Sequence, residues 1–334
     1  MKKKNLALGI GGAIGGLVAW KMLSRASEIH WDDVSDKIAH AEYSHFVEVD
    51  GVRVHYQEFG EAGNNPTLIL IHGYPSSTFV WQIVAPVFAE RGFHVVAVDL
   101  PGFGFSDKPS WFDYSIASQG RVIERFMDRL GIGRATLVGS SFGGAVALTV
   151  ALDYAERVEK LVLVSSVIND DVKSQKLFRL AKMRGVGEIL SPFLVDSKMF
   201  LRRRMRGTIG SSNHHLITPE RIEGVRRPLR AANAHHSVLA TARKWDANRI
   251  ERDAYLINHP TLILWGEHDT VVPIHNGEKI HESILNSRLI IFKDCGHVPQ
   301  EETPDSFVKV VSDFYRSPKG KFEIDDDEEM QFVD

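Results

Sequence analysis

Short, nearly continuous apolar segments alternate with longer amphipathic segments along most of the chain. Apolar segments of this kind are typical of strands that are buried on both faces of a parallel sheet. They predict strands at residues 67–71, 94–100, 135–138, 160–165, 261–265 and 288–292. Helical periodicity predicts helices at residues 79–91, 115–130, 142–154, 275–285 and 304–315. Two further strands, 46–50 and 52–59, flank the hairpin signal Asp50-Gly51, so the pattern indicates an α/β protein with a mainly parallel sheet of eight strands.

The alternation stops once, between residues 165 and 260, where no strand is predicted. Glycine and proline divide this stretch into helical pieces. We interpret residues 168–258 as a helical cap, inserted between two parts of the core at residues 45–167 and 259–316. We expect the cap to lie over the carboxyl ends of the strands, where open α/β sheets place their functional sites.

The pattern G-x-S-x-G lies between the predicted strand 135–138 and the helix that follows it. In Gly139-Ser140-Ser141-Phe142-Gly143, the serine with glycines two residues away on both sides is Ser141. Glycines at a sharp strand-to-helix turn let neighbouring backbone approach a nucleophile that is held in a strained conformation. The sequence therefore predicts Ser141 as a nucleophile.

A serine hydroxyl needs a base and an acid that orients the base. Asp269 follows the predicted strand 261–265, and His297 follows the strand 288–292. The order serine, aspartate, histidine is that of a triad on this architecture. We predict His297 as the base and Asp269 as the orienting acid. Other acids that remain open from the sequence are Glu267, Asp294 and Asp170.

Acyl transfer also requires hydrogen-bond donors for a developing oxyanion. The backbone N–H groups of Phe142, directly after the nucleophile, and of Tyr74, in the loop after strand 67–71, are the predicted donors. We interpret His72 as a structural hydrogen-bonding residue at the base of that loop. Cys295 has no base of its own, so we interpret it as a small buried residue and not as a second nucleophile.

Composition excludes several classes of protein. The chain is 43% apolar and 25% charged, which is ordinary for a globular protein, and its net charge of −3 argues against a polycation built for nucleic acid. A single cysteine excludes an internal disulfide and a cysteine metal site. The pairs His214-His215 and His235-His236 lack the carboxylate or cysteine spacing of a metal site. We therefore expect neither a metal nor a cofactor.

The amino end carries a membrane signal. Lys2, Lys3 and Lys4 precede a run of 16 uncharged residues, 5–20, which is closed by Lys21. We predict that residues 1–25 form a membrane anchor and that the protein is membrane-associated; a cleaved signal peptide and a soluble arm remain open. Basic residues are nearly balanced on the two sides of the run, so the positive-inside rule does not fix the orientation.

Charge is also uneven further along. Residues 173–252 contain 18 Lys or Arg and 6 Asp or Glu, and the densest basic stretch is 201–206. We hypothesise that this cap docks on anionic lipid headgroups; the alternative is a solvated surface that the acidic tail neutralises. That tail, residues 317–334, contains the acidic run 325–329, and we predict that it is solvated and disordered.

Between residues 46 and 315 the chain resembles the α/β-hydrolase superfamily. The motifs that carry the resemblance are H-G-Y-P at 72–75, D-L-P-G-F-G-F-S at 99–106, G-S-S-F-G-G at 139–144, G-E-H-D at 266–269 and G-H-V-P at 296–299. They look like the capped branch that holds epoxide hydrolases, haloalkane dehalogenases, MhpC-type carbon–carbon bond hydrolases, serine esterases and lipases. With the predicted anchor, the chain is similar to membrane-bound monoacylglycerol-lipase-like esterases.

Within that branch, the resemblance implies an aspartate nucleophile for epoxide hydrolases and dehalogenases, and serine at position 141 disfavours both activities. The expectation is a serine hydrolase of the carboxylic ester type, which cleaves a small lipophilic ester through an acyl-enzyme. A carbon–carbon bond hydrolase, a cofactor-free perhydrolase and a catalytically vestigial ligand-binding receptor remain open. The oligomeric state is not predicted.

Overall fold

One twisted sheet organises the protein. The computed structural model describes residues 29, 31–170, 179–180, 182–317 and 330–333. Within these residues the sheet has nine strands in the order β1-β2-β4-β3-β5-β6-β7-β8-β9. The strands are β1 Ser44–Val49, β2 Val52–Phe59, β3 Thr67–Ile71, β4 His94–Val98, β5 Ala135–Ser140, β6 Val158–Val164, β7 Thr261–Gly266, β8 Ser287–Phe292 and β9 Met330–Val333. The neighbours from β4 to β8 are all parallel, whereas β2 and β9 are antiparallel to their neighbours, so the predicted mainly parallel sheet is confirmed.

The ninth strand corrects two expectations from the sequence, the count of eight strands and a tail that is disordered throughout. Residues 330–333 pair antiparallel with β8, in a register that sets Met330 opposite Phe292 and Val333 opposite Leu289. Met330 is buried against the core. The acidic run suggested solvation for the whole tail, but the alternating residues of Met330-Gln331-Phe332-Val333 can extend a sheet edge. The acidic run itself lies outside the described residues.

Helices cover both faces of the sheet. Helices α1 Val84–Glu90 and α11 Pro304–Arg316 pack on one face through residues such as Phe88 and Phe307. Helices α2 Ile116–Arg129, α3 Phe142–Asp153 and α9 His275–Ser283 pack on the other face through residues such as Phe126 and Ile280. Coverage of both faces explains why the predicted strands are almost uninterrupted apolar segments.

The predicted helix 79–91 is wrong in its first half. The structure has a 3₁₀ turn at Thr78–Trp81, and α1 begins only at Val84. The Thr78 N–H donates to Oδ1 of Asp99 at 2.6 Å, and the Phe79 N–H donates to the Ser77 hydroxyl. Because Asp99 and Ser77 accept these two N–H groups, residues 78–81 form a separate tight turn and do not continue into α1.

The segment between β6 and β7 contains helices and, in the part of it that the structure describes, no strand, as predicted for the cap. Its helices are α4 Val186–Leu194, α5 Lys198–Thr208, α6 Pro219–Leu229, α7 Ala234–Lys244 and α8 Asn248–Asp253. The cap touches the core directly: the carbonyl of Thr208, at the end of α5, accepts the N–H of His297 at 2.7 Å. A short helix, α10 Pro299–Glu302, follows that histidine.

The predicted anchor, residues 1–25, lies outside the described residues. Among the residues described, no helix combines the length and the apolar character that crossing a membrane requires.

Candidate active site

Ser141 occupies a strained turn between β5 and α3. Its backbone has φ 53° and ψ −114°, a conformation that residues other than glycine rarely adopt. The Ser141 N–H donates to the carbonyl of Val164 at 2.8 Å, and the Ser141 carbonyl accepts the N–H of Val167 at 3.1 Å. A Cβ on Gly139 would fall on the backbone of Gly143, and one on Gly143 would fall on the carbonyl of Ile71. The glycines are therefore required for the close backbone approach that holds Ser141 in this conformation.

His297 lies on the loop after β8 and is bonded to the loop after β7. Its Nδ1 is 2.7 Å from Oδ2 of Asp269, whose side chain is fully buried. The other oxygen of Asp269 accepts the N–H groups of Val271 at 2.8 Å and Val272 at 3.0 Å. Because the carboxylate can only accept, this geometry places a proton on Nδ1 and leaves Nε2 of His297 as a base.

The three alternative acids have other partners. Glu267 accepts the N–H of Asp294 at 3.3 Å, and both side chains are exposed. Asp170 accepts the Ala247 N–H and the Asn248 side chain, and so holds the start of α8. Among the described residues, Asp269 is the carboxylate that is hydrogen-bonded to His297.

The loop after β3 passes directly over Ser141. A Cβ on Gly73 would lie 3.1 Å from the Ser141 Cβ, so only glycine fits there without a shift. His72 fixes the loop from below: its Nε2 accepts the Leu100 N–H at 3.1 Å, and its Nδ1 donates to the Gly73 carbonyl at 2.7 Å. Burial lowers the pKa of His72, which keeps the ring neutral for these two bonds. The structural role predicted for His72 is confirmed, and the loop it holds carries Tyr74.

Phe142 is the first residue of α3, where the backbone N–H has no partner within the helix. Its side chain is buried behind Ser141, in contact with the rings of Tyr74 and Trp245. Tyr74 follows Gly73, which lies against Ser141, and donates its hydroxyl to the Val238 carbonyl of the cap at 2.8 Å. The two predicted donors therefore belong to the residues that follow Ser141 and Gly73, and their use as oxyanion donors stays a prediction.

A cavity of about 540 Å³ between core and cap contains Ser141, His297 and Tyr74 on its wall. Most other lining residues are apolar, and they come from both parts of the protein: Pro75, Val80, Val167, Leu194, Val195, Phe200, Met205, Ile209, Val225, Val238, Leu239, Trp245, Val271, Val272 and Val298. A cavity of this volume and polarity is suited to a mainly apolar ligand. A second cavity, of about 640 Å³, lies between residues 37–39 and α6 and includes neither Ser141 nor His297.

Charged residues also line the first cavity, and the sequence did not indicate that they would. Arg221 of the cap and Glu301 of α10 form an ion pair at 2.6 Å, with both side chains largely buried. Burial, together with the neighbouring Glu302, outweighs the effect of Arg221 and raises the pKa of Glu301 to about 7. Arg203 and Arg204 of α5 line the same cavity.

Glu302 is a further residue that the sequence did not reveal. Its carboxylate accepts the N–H of Gly296 at 3.0 Å and the N–H of Gly210 at 2.8 Å, and it also binds the side chain of Asn213. These bonds hold the loop before His297 against the cap. The sequence near Glu302 gives no sign that it binds these N–H groups, because Gly210 is distant along the chain and only the fold brings it close.

Cys295, His214 and His235, which the sequence offered as candidate reactive or metal-binding residues, make ordinary structural contacts. Cys295 is buried, and burial, with the carboxylates of Glu302 and Asp269, raises the pKa of its thiol, so the interpretation as a buried small residue is confirmed. His214 lies against the Arg206 carbonyl, and His235 is 3.7 Å from Asp196. Across the described ranges, no three His, Cys, Asp or Glu side chains are grouped as a metal site.

Comparison with known proteins agrees with this architecture. The family model described as the alpha/beta hydrolase fold matches residues 66–304, which is more than half of the chain. The 2-hydroxy-6-oxononadienedioate/2-hydroxy-6-oxononatrienedioate hydrolase of Burkholderia vietnamiensis is 30% identical, over 85% of this chain and 100% of that protein.

Two solved structures extend the comparison. The meta-cleavage product hydrolase of Pseudomonas fluorescens is 27% identical with a TM-score of 0.69, over 82% of this chain and 98% of that one. A structure described as a membrane phospholipase A, a bacterial virulence factor, is 26% identical with a TM-score of 0.61, over 93% of this chain and 97% of that one. The similar proteins therefore include two enzymes named as hydrolases of hydroxy-oxo acids or meta-cleavage products and one named as a phospholipase.

Proposed function

The chain belongs to the α/β-hydrolase family, and on that basis we propose that it is a serine hydrolase that cleaves a hydrophobic carboxylic ester through an acyl-enzyme. The observation that carries the proposal is the strained Ser141 on the wall of a mainly apolar cavity that His297 also lines, with His297 bonded to buried Asp269. A nucleophile, an oriented base and an apolar binding space are the parts that ester cleavage requires.

In the acylation step, Nε2 of His297 takes the proton from the Ser141 hydroxyl as its oxygen attacks the ester carbonyl carbon. The carbonyl oxygen becomes an oxyanion that accepts hydrogen bonds from the N–H groups of Phe142 and Tyr74. Phe142 adds the positive end of the α3 dipole. When the carbon–oxygen bond to the alcohol breaks, His297 gives its proton to the departing alcohol.

In the deacylation step, His297 takes a proton from water, and the hydroxide attacks the acyl carbon of the Ser141 ester. The same two N–H groups stabilise the second oxyanion, and the bond to the Ser141 oxygen then breaks. His297 returns the proton to Ser141, and the carboxylic acid leaves. Asp269 stays ionised throughout and stabilises the imidazolium.

An ester series tests this proposal. We expect hydrolysis of p-nitrophenyl esters, from acetate to palmitate, to peak at medium or long chains, since the cavity wall is mainly apolar. Ser141→Ala is expected to abolish the activity. Ser140→Ala is the matched control, because it removes the adjacent hydroxyl of the same motif and leaves the proposed nucleophile in place. Activity that survives in Ser141→Ala and disappears in Ser140→Ala would overturn the assignment.

Carbon–carbon bond hydrolysis is the second candidate, and the names of the relatives from Burkholderia and Pseudomonas favour it. The same serine, histidine and aspartate would serve it. Fluorophosphonate labelling of Ser141 without hydrolysis of any ester in the series would select this candidate. Absence of both labelling and hydrolysis would favour a ligand-binding receptor.

Attachment to a membrane is part of the proposal, through residues 1–25 and the basic cap. The apolar run at the amino end supports it. So does the outer surface of α5, where Met199 is 82% exposed beside the exposed Arg202 and Arg206. Recovery of the full chain in the membrane fraction after an alkaline carbonate wash is the expected result, and complete release by the wash would contradict an anchor.

A further inference from the structure

One arginine of the basic stretch in α5 faces inward. Leu201 and Met205 are buried and define the inner face of this helix. Arg204 lies between them on that face, is partly buried and lines the cavity that contains Ser141. Arg202 and Arg206, in the same stretch, are exposed and do not line it. The four arginines of this stretch therefore do not form one surface.

No carboxylate among the described residues forms an ion pair with Arg204. Arg221, the other partly buried arginine on the cavity wall, is already paired with Glu301 at 2.6 Å. Burial lowers the pKa of Arg204, and Tyr74 acts in the opposite direction. A guanidinium nevertheless stays protonated in a protein, so the cavity holds a positive charge that no carboxylate of the described residues pairs with.

A buried charge of this kind is costly unless an opposite charge accompanies it. The guanidinium presents a planar set of N–H donors that matches two oxygens of a carboxylate or a phosphate. Arg204 and Ser141 line the same cavity, so an anion bound at the guanidinium would share that cavity with the reacting carbonyl of a substrate.

We infer that Arg204 forms an anion-binding subsite, and that the substrate carries a carboxylate or phosphate group in addition to its ester and its apolar chain. The inference rests on the proposed function and narrows its substrate class. The anion can belong to the acid part of the substrate, as in a half-ester of a dicarboxylic acid. It can also belong to the alcohol part, as in a lysophospholipid.

Two matched pairs of esters separate these sources. For the acid part, mono-p-nitrophenyl glutarate is compared with p-nitrophenyl valerate. For the alcohol part, 1-lauroylglycerol 3-phosphate is compared with 1-lauroylglycerol. Each pair keeps the ester and changes the charge. Full-length wild type, Arg204→Gln and Arg204→Lys are assayed, with Arg121→Gln as a control that removes an exposed arginine of core helix α2.

In Arg204→Gln, we expect kcat/KM for the charged member of one pair to fall about 10- to 100-fold, mainly through KM, as for loss of a charge-assisted hydrogen bond. The kcat/KM for the neutral member should change less than about twofold. Arg204→Lys should recover part of the loss, and Arg121→Gln should resemble wild type. The pair that responds identifies the source of the anion. An equal loss on charged and neutral members, or no loss on either pair, would overturn the subsite.

Binding without turnover distinguishes failure of the subsite from failure of the proposed function. Isothermal titration of Ser141→Ala with decanoate, decyl phosphate and 1-decanol should show at least one anion binding about tenfold more tightly than the alcohol. Adding Arg204→Gln should abolish that preference. Equal affinities for the three ligands would overturn the subsite even if esters are hydrolysed. A preserved anion preference in a protein that hydrolyses no ester would overturn the proposed function alone.

Discussion

In the core, main-chain atoms hold the groups that are proposed to react, whereas in the cap, packing of helices decides which side chains face the cavity. The conformation of Ser141 follows from glycines that meet backbone carbonyls, and Asp269 is oriented by two backbone N–H groups. Arg204 faces inward only because α5 buries Leu201 and Met205. On the proposed function, we expect the core to hold the reacting groups and the cap to select the substrate.

The largest expected effect comes from a substitution in the core, at the acid that orients His297. Asp269→Asn should lower kcat by about 10⁴-fold, because an amide can stabilise the wrong tautomer of His297. Steady-state kinetics on the best p-nitrophenyl ester measures it. Glu267→Gln and Asp294→Asn are matched controls on the same loops and should stay within about twofold of wild type, since neither carboxylate binds His297. A loss of 10⁴-fold in either control would assign the acid differently.

A pair of glycine substitutions compares the two regions directly. Gly143→Ala should lower the free energy of unfolding by roughly 3 kcal/mol, because its Cβ would meet the Ile71 carbonyl. Gly207→Ala, in cap helix α5, has no neighbour within 4 Å and should raise stability by up to about 1 kcal/mol. Urea denaturation measures both variants. Equal effects would show that the turn at Ser141 is no more constrained than the cap.

The stability of the protein should depend on pH through Glu301, which pairs with Arg221 where the core meets the cap. Because folding raises the pKa of this carboxyl from 4.5 to about 7, its stabilising contribution is complete below pH 4.5 and is lost as the pH rises to about 7. Over that range wild type should lose about 3 kcal/mol of stability relative to Glu301→Gln. Chemical denaturation at pH 5 and pH 8 tests the sign. A variant whose stability changes with pH as much as wild type would contradict it.

The smallest expected effect concerns the outer surface of the cap. Arg206→Gln should weaken the preference of the full chain for anionic over zwitterionic vesicles by about fivefold, the effect of one charge near a lipid surface. Competition between the two vesicle types measures this preference and cancels the contribution of an anchor. Hydrolysis of a soluble ester should not change, because Arg206 is outside the cavity. An unchanged vesicle preference would favour the solvated-surface interpretation.

The sequence predicted the core better than the cap for a physical reason. Strands buried on both faces are recognisable from local composition, and the turn at Ser141 is recognisable because glycine spacing reports close backbone contacts. The order of strands then brings the loops after β5, β7 and β8 to one edge of the sheet. These features depend on neighbours along the chain or on general topology.

The missed features depend on tertiary contacts. Arg204 is indistinguishable in sequence from Arg202, although the two lie on opposite sides of one helix. Adjacent acidic residues are usually exposed to solvent, yet Glu301 and Glu302 are both buried. The strand β9 follows an acidic run in the sequence, and its residues form a strand because they pair with β8 at the edge of the sheet.

The identity of the nucleophile is the central claim, and fluorophosphonate labelling of the intact protein tests it most directly. Digestion and mass spectrometry would locate the phosphonyl adduct on a peptide. The account predicts one adduct, on Ser141, that forms in wild type and in Ser140→Ala and is lost in Ser141→Ala. An adduct that persists in Ser141→Ala, or the absence of any adduct in wild type, would contradict it.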